Sequence, residues 1–244
     1  MSRITVVTAL RPESLAVLAA LERPRRIRSV SGPSWAGMAG ANHVTIVQAG
    51  VGPEAARRAA AALAADGDVI VSLGFAGGLA PGLVPGDLVL PAVVVWEEGE
   101  VARRYVVHDA VLAQADAALQ SDLGWRPTRG NLFSSPTVLA ASAAKRRAAE
   151  RHAAVAVEME AAVLAAHAAE RGVVFVALRA ILDPADLSLE GLPPGLTESW
   201  TARARLVAIP SVWPLVATLR RHVAVAATAL TRGARAVLPA LRLP

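Results

Sequence analysis

Carboxylates at the ends of apolar runs are the first chemistry this chain offers. Ala156-Val157-Glu158-Met159-Glu160-Ala161 follows the β-branched run Val155 to Val157. A second such run, Val173 to Leu178, continues through Arg179-Ala180-Ile181-Leu182 to Asp183-Pro184. Between them Met159 to Arg171 is Ala-rich and helical in character, so the segment reads as a βαβ unit. In an open α/β sheet ligands bind outside the carboxyl ends of the strands, where Glu158, Glu160 and Asp183 should sit. Glu158 and Glu160 are two residues apart and point in different directions, so at most one faces a pocket fully. Asp183 precedes a proline, which holds it extended or in a turn at its strand's end. Glu13, after the first apolar run, either caps a helix N-terminus, where the dipole favours an acid, or joins the pocket.

Glycines mark where backbone can approach a ligand: Gly50-Val51-Gly52, Gly74-Phe75-Ala76-Gly77-Gly78, and Gly82 with Gly86. The second group reads as a turn directly after the strand Val69 to Leu73. It matches neither a P-loop nor a dinucleotide fingerprint, and alone it serves a tight turn as well as a site.

The elements that must hold these residues alternate. Strands are expected at Ile4 to Thr8, Val44 to Ala49 and Val69 to Leu73, within Asp87 to Trp96, and at Thr128 to Phe133. Helices are expected at Glu13 to about Leu21, Pro53 to Ala65, Ala110 to Ser121 and Ala141 to Arg151. The pattern predicts an α/β fold, a three-layer αβα sandwich around a mostly parallel or mixed central sheet. Leu187 to Gly195 breaks the periodicity and reads as a loop. It divides a sheet domain, 1–195, from a C-terminal helical extension, 196–244.

Composition narrows the chemistry. A chain of 244 residues with 54% hydrophobic content suits one large α/β domain. Zero cysteines exclude disulfides, thiolate zinc sites and a cysteine nucleophile. His43, His108, His152, His167 and His222 lack metal-ligand spacing, so no metal site is expected. No serine nucleophile elbow is present. The net charge of +5 rests on arginine, with Lys145 the sole lysine, and aromatics at 4% are too sparse for a nucleic-acid surface. Met1-Ser2-Arg3 leads straight into a β-rich run, unlike a secretory leader, so the expected location is cytoplasmic.

In the tail, Leu215, Leu219, Val223, Ala226, Leu230, Val237 and Leu241 form one helical stripe. Arg220, Arg221, Arg232, Arg235 and Arg242 lie opposite. Such a basic amphipathic helix over 212–242 either packs on the body with its arginines solvated or lies on an anionic membrane surface, without spanning it.

Several motifs in order resemble one family over about the first 190 residues: Thr8-Ala9-Leu10-Arg11-Pro12-Glu13, Gly50-Val51-Gly52, Gly74-Phe75-Ala76-Gly77-Gly78-Leu79, Pro85-Gly86-Asp87, Val157-Glu158-Met159-Glu160 and Arg179-Ala180-Ile181-Leu182-Asp183. The chain resembles the purine nucleoside phosphorylase and methylthioadenosine/S-adenosylhomocysteine nucleosidase superfamily. Asp183-Pro184-Ala185-Asp186, the short central region and the basic tail look most like its hopanoid-associated branch, which removes adenine from adenosylhopane. The resemblance implies that Asp183 is the acid protonating the purine, Glu13 the base activating water, and Glu160 the carboxylate binding the ribose hydroxyls. Met159 would pack on the sugar, with Glu158 and Gly74, Phe75, Ala76 and Gly77 lining the substrate site. It also implies a homo-oligomer and no cofactor.

Two departures from the family pattern matter. Leu182 stands where a serine usually steadies the acid, which takes a hydrogen bond away from Asp183. Phe75 replaces a usual Ser or Thr, and Ser72 stands where hexameric phosphorylases carry a phosphate-binding arginine. Water is then the expected nucleophile, and phosphate, as a co-substrate, would depend on Arg11. The nearest alternatives are a nucleosidase for small 5′-thioadenosines and a nucleoside-binding protein impaired in catalysis.

Overall fold

The computed structural model describes residues 1–29, 32–63, 68–98, 101–124, 126–193 and 209–242. In chain order the first half contains β1 (Arg3–Thr8), α1 (Arg11–Leu18), β2 (Glu22–Ile27), β3 (Ser34–Ala39), β4 (Asn42–Gln48), α2 (Pro53–Ala61), β5 (Val69–Gly78), β6 (Leu88–Val89), β7 (Val93–Glu98) and β8 (Val101–Val106). The second contains α3 (Asp109–Leu123), β9 (Asn131–Ser134), α4 (Ser142–His152), β10 (Ala154–Glu158), α5 (Ala161–Arg171), β11 (Val174–Asp183), a short 3-10 turn at Pro210–Val212, and α6 (Trp213–Ala240).

The strands form one mixed sheet in the order β2-β3-β4-β1-β5-β10-β9-β7-β8, with β11 also beside β5 and β6 beside β11. β4, β1, β5 and β11 pair in parallel, as do β10, β9 and β7. Helices α1, α3 and α6 pack together over one face, and α2 and α5 cover the other, giving the three-layer α/β sandwich. β5 and β11 read as near-continuous apolar runs because both faces of the sheet are covered there.

Three features depart from the expectations. The glycine-rich stretch 74–78 is no turn: it continues β5, because β11 pairs with it from Val174↔Val69 through Asp183↔Gly77. The segment 154–183 is no βαβ unit of neighbouring parallel strands. Both of its strands lie against β5, and β10 meets the Gly77–Gly78 end antiparallel. Finally, β2, β3 and β8 add antiparallel edges that alternation does not announce. The expected 187–195 loop is irregular through residue 193, and 194–195 lie outside the described residues, as do Ala64 and Ala65 of the expected second helix.

The C-terminal helix belongs to the core from its middle onward. Ala226, Leu230, Gly233, Ala234, Val237 and Leu238 are buried. A Cβ at Gly233 would lie 2.8 Å from Leu178 and 3.0 Å from Leu88, so only glycine lets α6 approach the sheet this closely. Its end is held by buried Asn42, whose amide nitrogen donates to the carbonyls of Leu238 and Leu241, both at 2.9 Å. Arg235 donates to the Ala19 carbonyl at the end of α1, which ties it to the body of the protein, and Arg242 donates back to the Pro239 carbonyl of its own helix. No described helix is long and apolar enough to cross a membrane.

Candidate active site

β5 is the floor of the site, and two missing side chains make it one. A Cβ at Gly74 would lie 2.8 Å from Glu13 Oε1 and 3.0 Å from Arg179 Nη1. A Cβ at Gly77 would lie 3.1 Å from Asp183 Oδ2 and 3.3 Å from Val157. Glu13 and Asp183 therefore press against the same strand three residues apart, roughly 10 Å at the usual strand rise, a span on the scale of a nucleoside.

Glu13 caps its helix and also reaches β5. Its Oε2 accepts from the amides of Ala9 and Leu10 at 2.8 and 2.7 Å, capping α1, which Pro12 helps to start. Its Oε1 accepts from the Phe75 amide at 2.8 Å, which ties the helix to β5. Burial pushes its carboxyl above the usual range, while these amides and Arg179 pull the other way.

Glu158 and Glu160 diverge at the start of α5. Glu158 turns inward, accepting from Arg179 at 2.6 Å, from the Ser134 hydroxyl, and from the amides of Glu160 and Ala161 at 2.9 and 2.8 Å. Glu160 accepts from the Gly52 amide at 2.6 Å, and Met159 packs on the same turn, its methyl 3.7 Å from where a Gly52 Cβ would stand. Gly52 has φ +91, a conformation that glycine adopts without strain. Burial first, and the neighbouring Glu158 second, push Glu160 up to about 8.

Three carboxylates thus surround one guanidinium. Arg179 comes from the middle of an apolar strand, is 3% exposed, and also donates to Ser72 at 2.7 Å. It was not among the residues singled out from sequence, although an arginine inside a buried strand demands a partner. Phe75 and Ala76 are buried beside it on β5. Arg11 stands exposed at the start of α1, so the cation among the acids is Arg179.

Asp183 has a partner that the sequence did not disclose. Lys145, reaching from α4, donates to Asp183 Oδ2 at 2.5 Å. The hydrogen bond that Leu182 cannot supply is therefore not missing from the acid; it comes from another element. Burial pushes Asp183 up, and Lys145, then His222 on α6, act in the opposite direction. Among the described residues no cluster of His, Cys, Asp and Glu could hold a metal ion.

The family follows from a match of residues 3–206 to the model described as phosphorylase superfamily. The chain belongs to the phosphorylase superfamily. Among solved structures it is similar to an S-adenosylhomocysteine nucleosidase from Streptococcus pyogenes in complex with 5-methylthiotubericidin, with TM-score 0.78 and 19% identity over 99% of this chain and 98% of that one. A 5′-methylthioadenosine/S-adenosylhomocysteine nucleosidase from Neisseria meningitidis superposes with TM-score 0.78 and 19% identity over 99% of this chain and all (100%) of that one. The futalosine hydrolase of Helicobacter pylori gives TM-score 0.73 and 18% identity over 95% and 97%. These likenesses extend through α6, beyond the segment that matches the family model.

Proposed function

We propose that the protein cleaves the N-glycosidic bond of a purine nucleoside, with water as the nucleophile. The observation that carries this reading is the placement of Glu13 and Asp183 at Gly74 and Gly77 of one strand, with Glu158, Arg179 and Glu160 beside them. Asp183 donates a proton toward purine N7, so that adenine leaves as a neutral base rather than an anion. As the C1′–N9 bond lengthens, positive charge builds on the sugar whose hydroxyls Glu160 accepts from. That charge opposes the burial that raises Glu160, so its carboxylate form is favoured and in turn favours the cation. Glu13 takes the proton of the water that adds to C1′, and Met159 lies against the sugar. Arg179 and Glu158 hold the carboxylates apart.

Charge favours water over phosphate. Three acids face one arginine that already binds Glu158 and Ser72, which is a poor setting for a dianion. Phosphorolysis would need Arg11 to turn inward from solvent.

The finer reading concerns the 5′ substituent. The motif resemblance suggests adenosylhopane, and the near half of α6 supports a lipid-linked substrate met at the inner face of the membrane by a cytoplasmic homo-oligomer. Trp213, Val225 and Val84 are 53%, 49% and 54% exposed, and Gly86 brings the Val84 loop against Val225. Exposed Arg220 and Arg221 lie on the same stretch of helix. Apolar side chains beside arginines suit an anionic bilayer surface. The small-thioadenosine alternative is favoured by the nucleosidase likenesses. Adenine release from a lipid-linked adenosine in anionic vesicles, compared with release from 5′-methylthioadenosine, separates the two. A higher kcat/KM on the lipid-linked substrate is expected, and the reverse order would assign the small substrate.

A further inference from the structure

Lys145 is the sole lysine of the chain and is 1% exposed. It sits on α4 among arginines and alanines, yet its Nζ reaches the far end of β11. There it donates to Asp183 Oδ2 at 2.5 Å, the Pro184 carbonyl at 2.8 Å and the Leu187 carbonyl at 3.0 Å. Three acceptors match the three donors of an ammonium; a neutral amine would leave one of them unserved. Placing a charge so deep is costly unless it is paired and fully hydrogen-bonded, and both conditions hold here. Leu182, the neighbour of the acid, offers no hydrogen bond. Among the described residues the other cation-forming side chain that acts on Asp183 is His222 of α6, whose Nδ1 is buried with no partner.

We propose that Lys145 is the positioning residue of the purine acid: it fixes Asp183 through Oδ2, leaves Oδ1 to carry the transferable proton, and neutralises the carboxylate that remains. This rests on the N-glycosidic reading above. In the step, the Oδ1 proton passes to purine N7 and the C1′–N9 electron pair leaves with the base. Water oxygen bonds to C1′ and its proton goes to Glu13. Lys145 gains and loses nothing; its fixed charge makes the departing proton easier to release.

Opposed influences on Asp183 give the test its sign. Burial holds the proton on, and Lys145 loosens it. Because the acid works protonated, activity falls as pH rises through its titration. Removing the ammonium tightens the proton, so the alkaline limb of kcat/KM moves to higher pH while the plateau falls. Glu13, Glu160 and His222 are retained in every variant, so the comparison isolates Lys145.

The experiment measures adenine release by the full chain across pH for wild type, Lys145→Met and Lys145→Arg. The substrate is whichever of adenosine, 5′-methylthioadenosine or a lipid-linked adenosine the wild type cleaves fastest. Lys145→Met is expected to lose about tenfold or more on the plateau. Its alkaline limb should move up by about 1–3 pH units, whereas Lys145→Arg keeps the limb in place. A Lys145→Met profile with an unmoved limb, whatever its height, would overturn the proposal alone. No adenine release by the wild type would overturn it together with the function it rests on. Should Lys145→Met not fold, the wild type still decides: ¹⁵N-lysine labelling gives one side-chain resonance, expected to shift over the pH range where activity is lost and to move in Asp183→Asn. A resonance constant over that range would overturn the proposal.

Discussion

Arg179 and Glu158 meet 2.6 Å apart with side-chain exposures of 3% and 2%, between the middle of one strand and the end of another. The pair joins β11 to the start of α5 and holds the centre of the acid cluster. Removing one member leaves the other as an unpaired buried charge, which typically costs about 3–5 kcal/mol. Arg179→Met should therefore lower Tm by roughly 10 °C in a chain of this length. The double variant Arg179→Met/Glu158→Gln should lose less than the sum of the singles, as read from a thermal-unfolding double-mutant cycle.

Gly74→Ala tests the floor. The added methyl would stand 2.8 Å from Glu13 Oε1, so the carboxylate must shift. A displacement near 1 Å at a reacting group costs on the order of 10²-fold in rate, and that loss in kcat is expected while the chain stays folded by circular dichroism.

Glu160 ties stability to pH. Its carboxyl is raised to about 8, so the folded protein holds this proton more tightly than the unfolded chain does. The stabilisation is complete below the ordinary glutamate range and is lost as pH climbs toward 8. Glu160→Gln cannot ionise. Its Tm should equal that of wild type near pH ~4.5 and exceed it at pH ~8.5, by about 2–4 °C per kcal/mol relieved. Equal Tm at both pH values would contradict the raised value.

Asn42→Ala should free the C-terminal helix. It removes the donors to the Leu238 and Leu241 carbonyls and the acceptor of the Ser2 amide, at a cost of about 2–4 kcal/mol. Limited proteolysis should then cut near the C-terminus of α6 before it cuts the sheet.

What the sequence disclosed follows the range of each interaction. The β-branched runs at Val69, Val155 and Val174, and the acids that end the last two, are local patterns, and the strands lie there. β2 was invisible because Glu22-Arg23-Pro24-Arg25-Arg26-Ile27 is polar and exposed, and it is a strand only because β3 pairs with it. Glycine at 74–78 suggested a turn because glycine weakens strands; pairing with β11 overrides that preference. Lys145 could not be ranked from its helix, since its three acceptors lie 38 to 42 residues further along the chain. Its status as the sole lysine, in a chain that otherwise uses arginine, was the signal available.

Adenine release in phosphate-free buffer, measured for wild type, Glu13→Gln and Asp183→Asn, bears most directly on the proposed cleavage. Wild type should release adenine with no acceleration by added phosphate, and each variant should lose about 10²- to 10⁴-fold. Release by Asp183→Asn at the wild-type rate would contradict the assignment of the acid, and with it the proposed reaction.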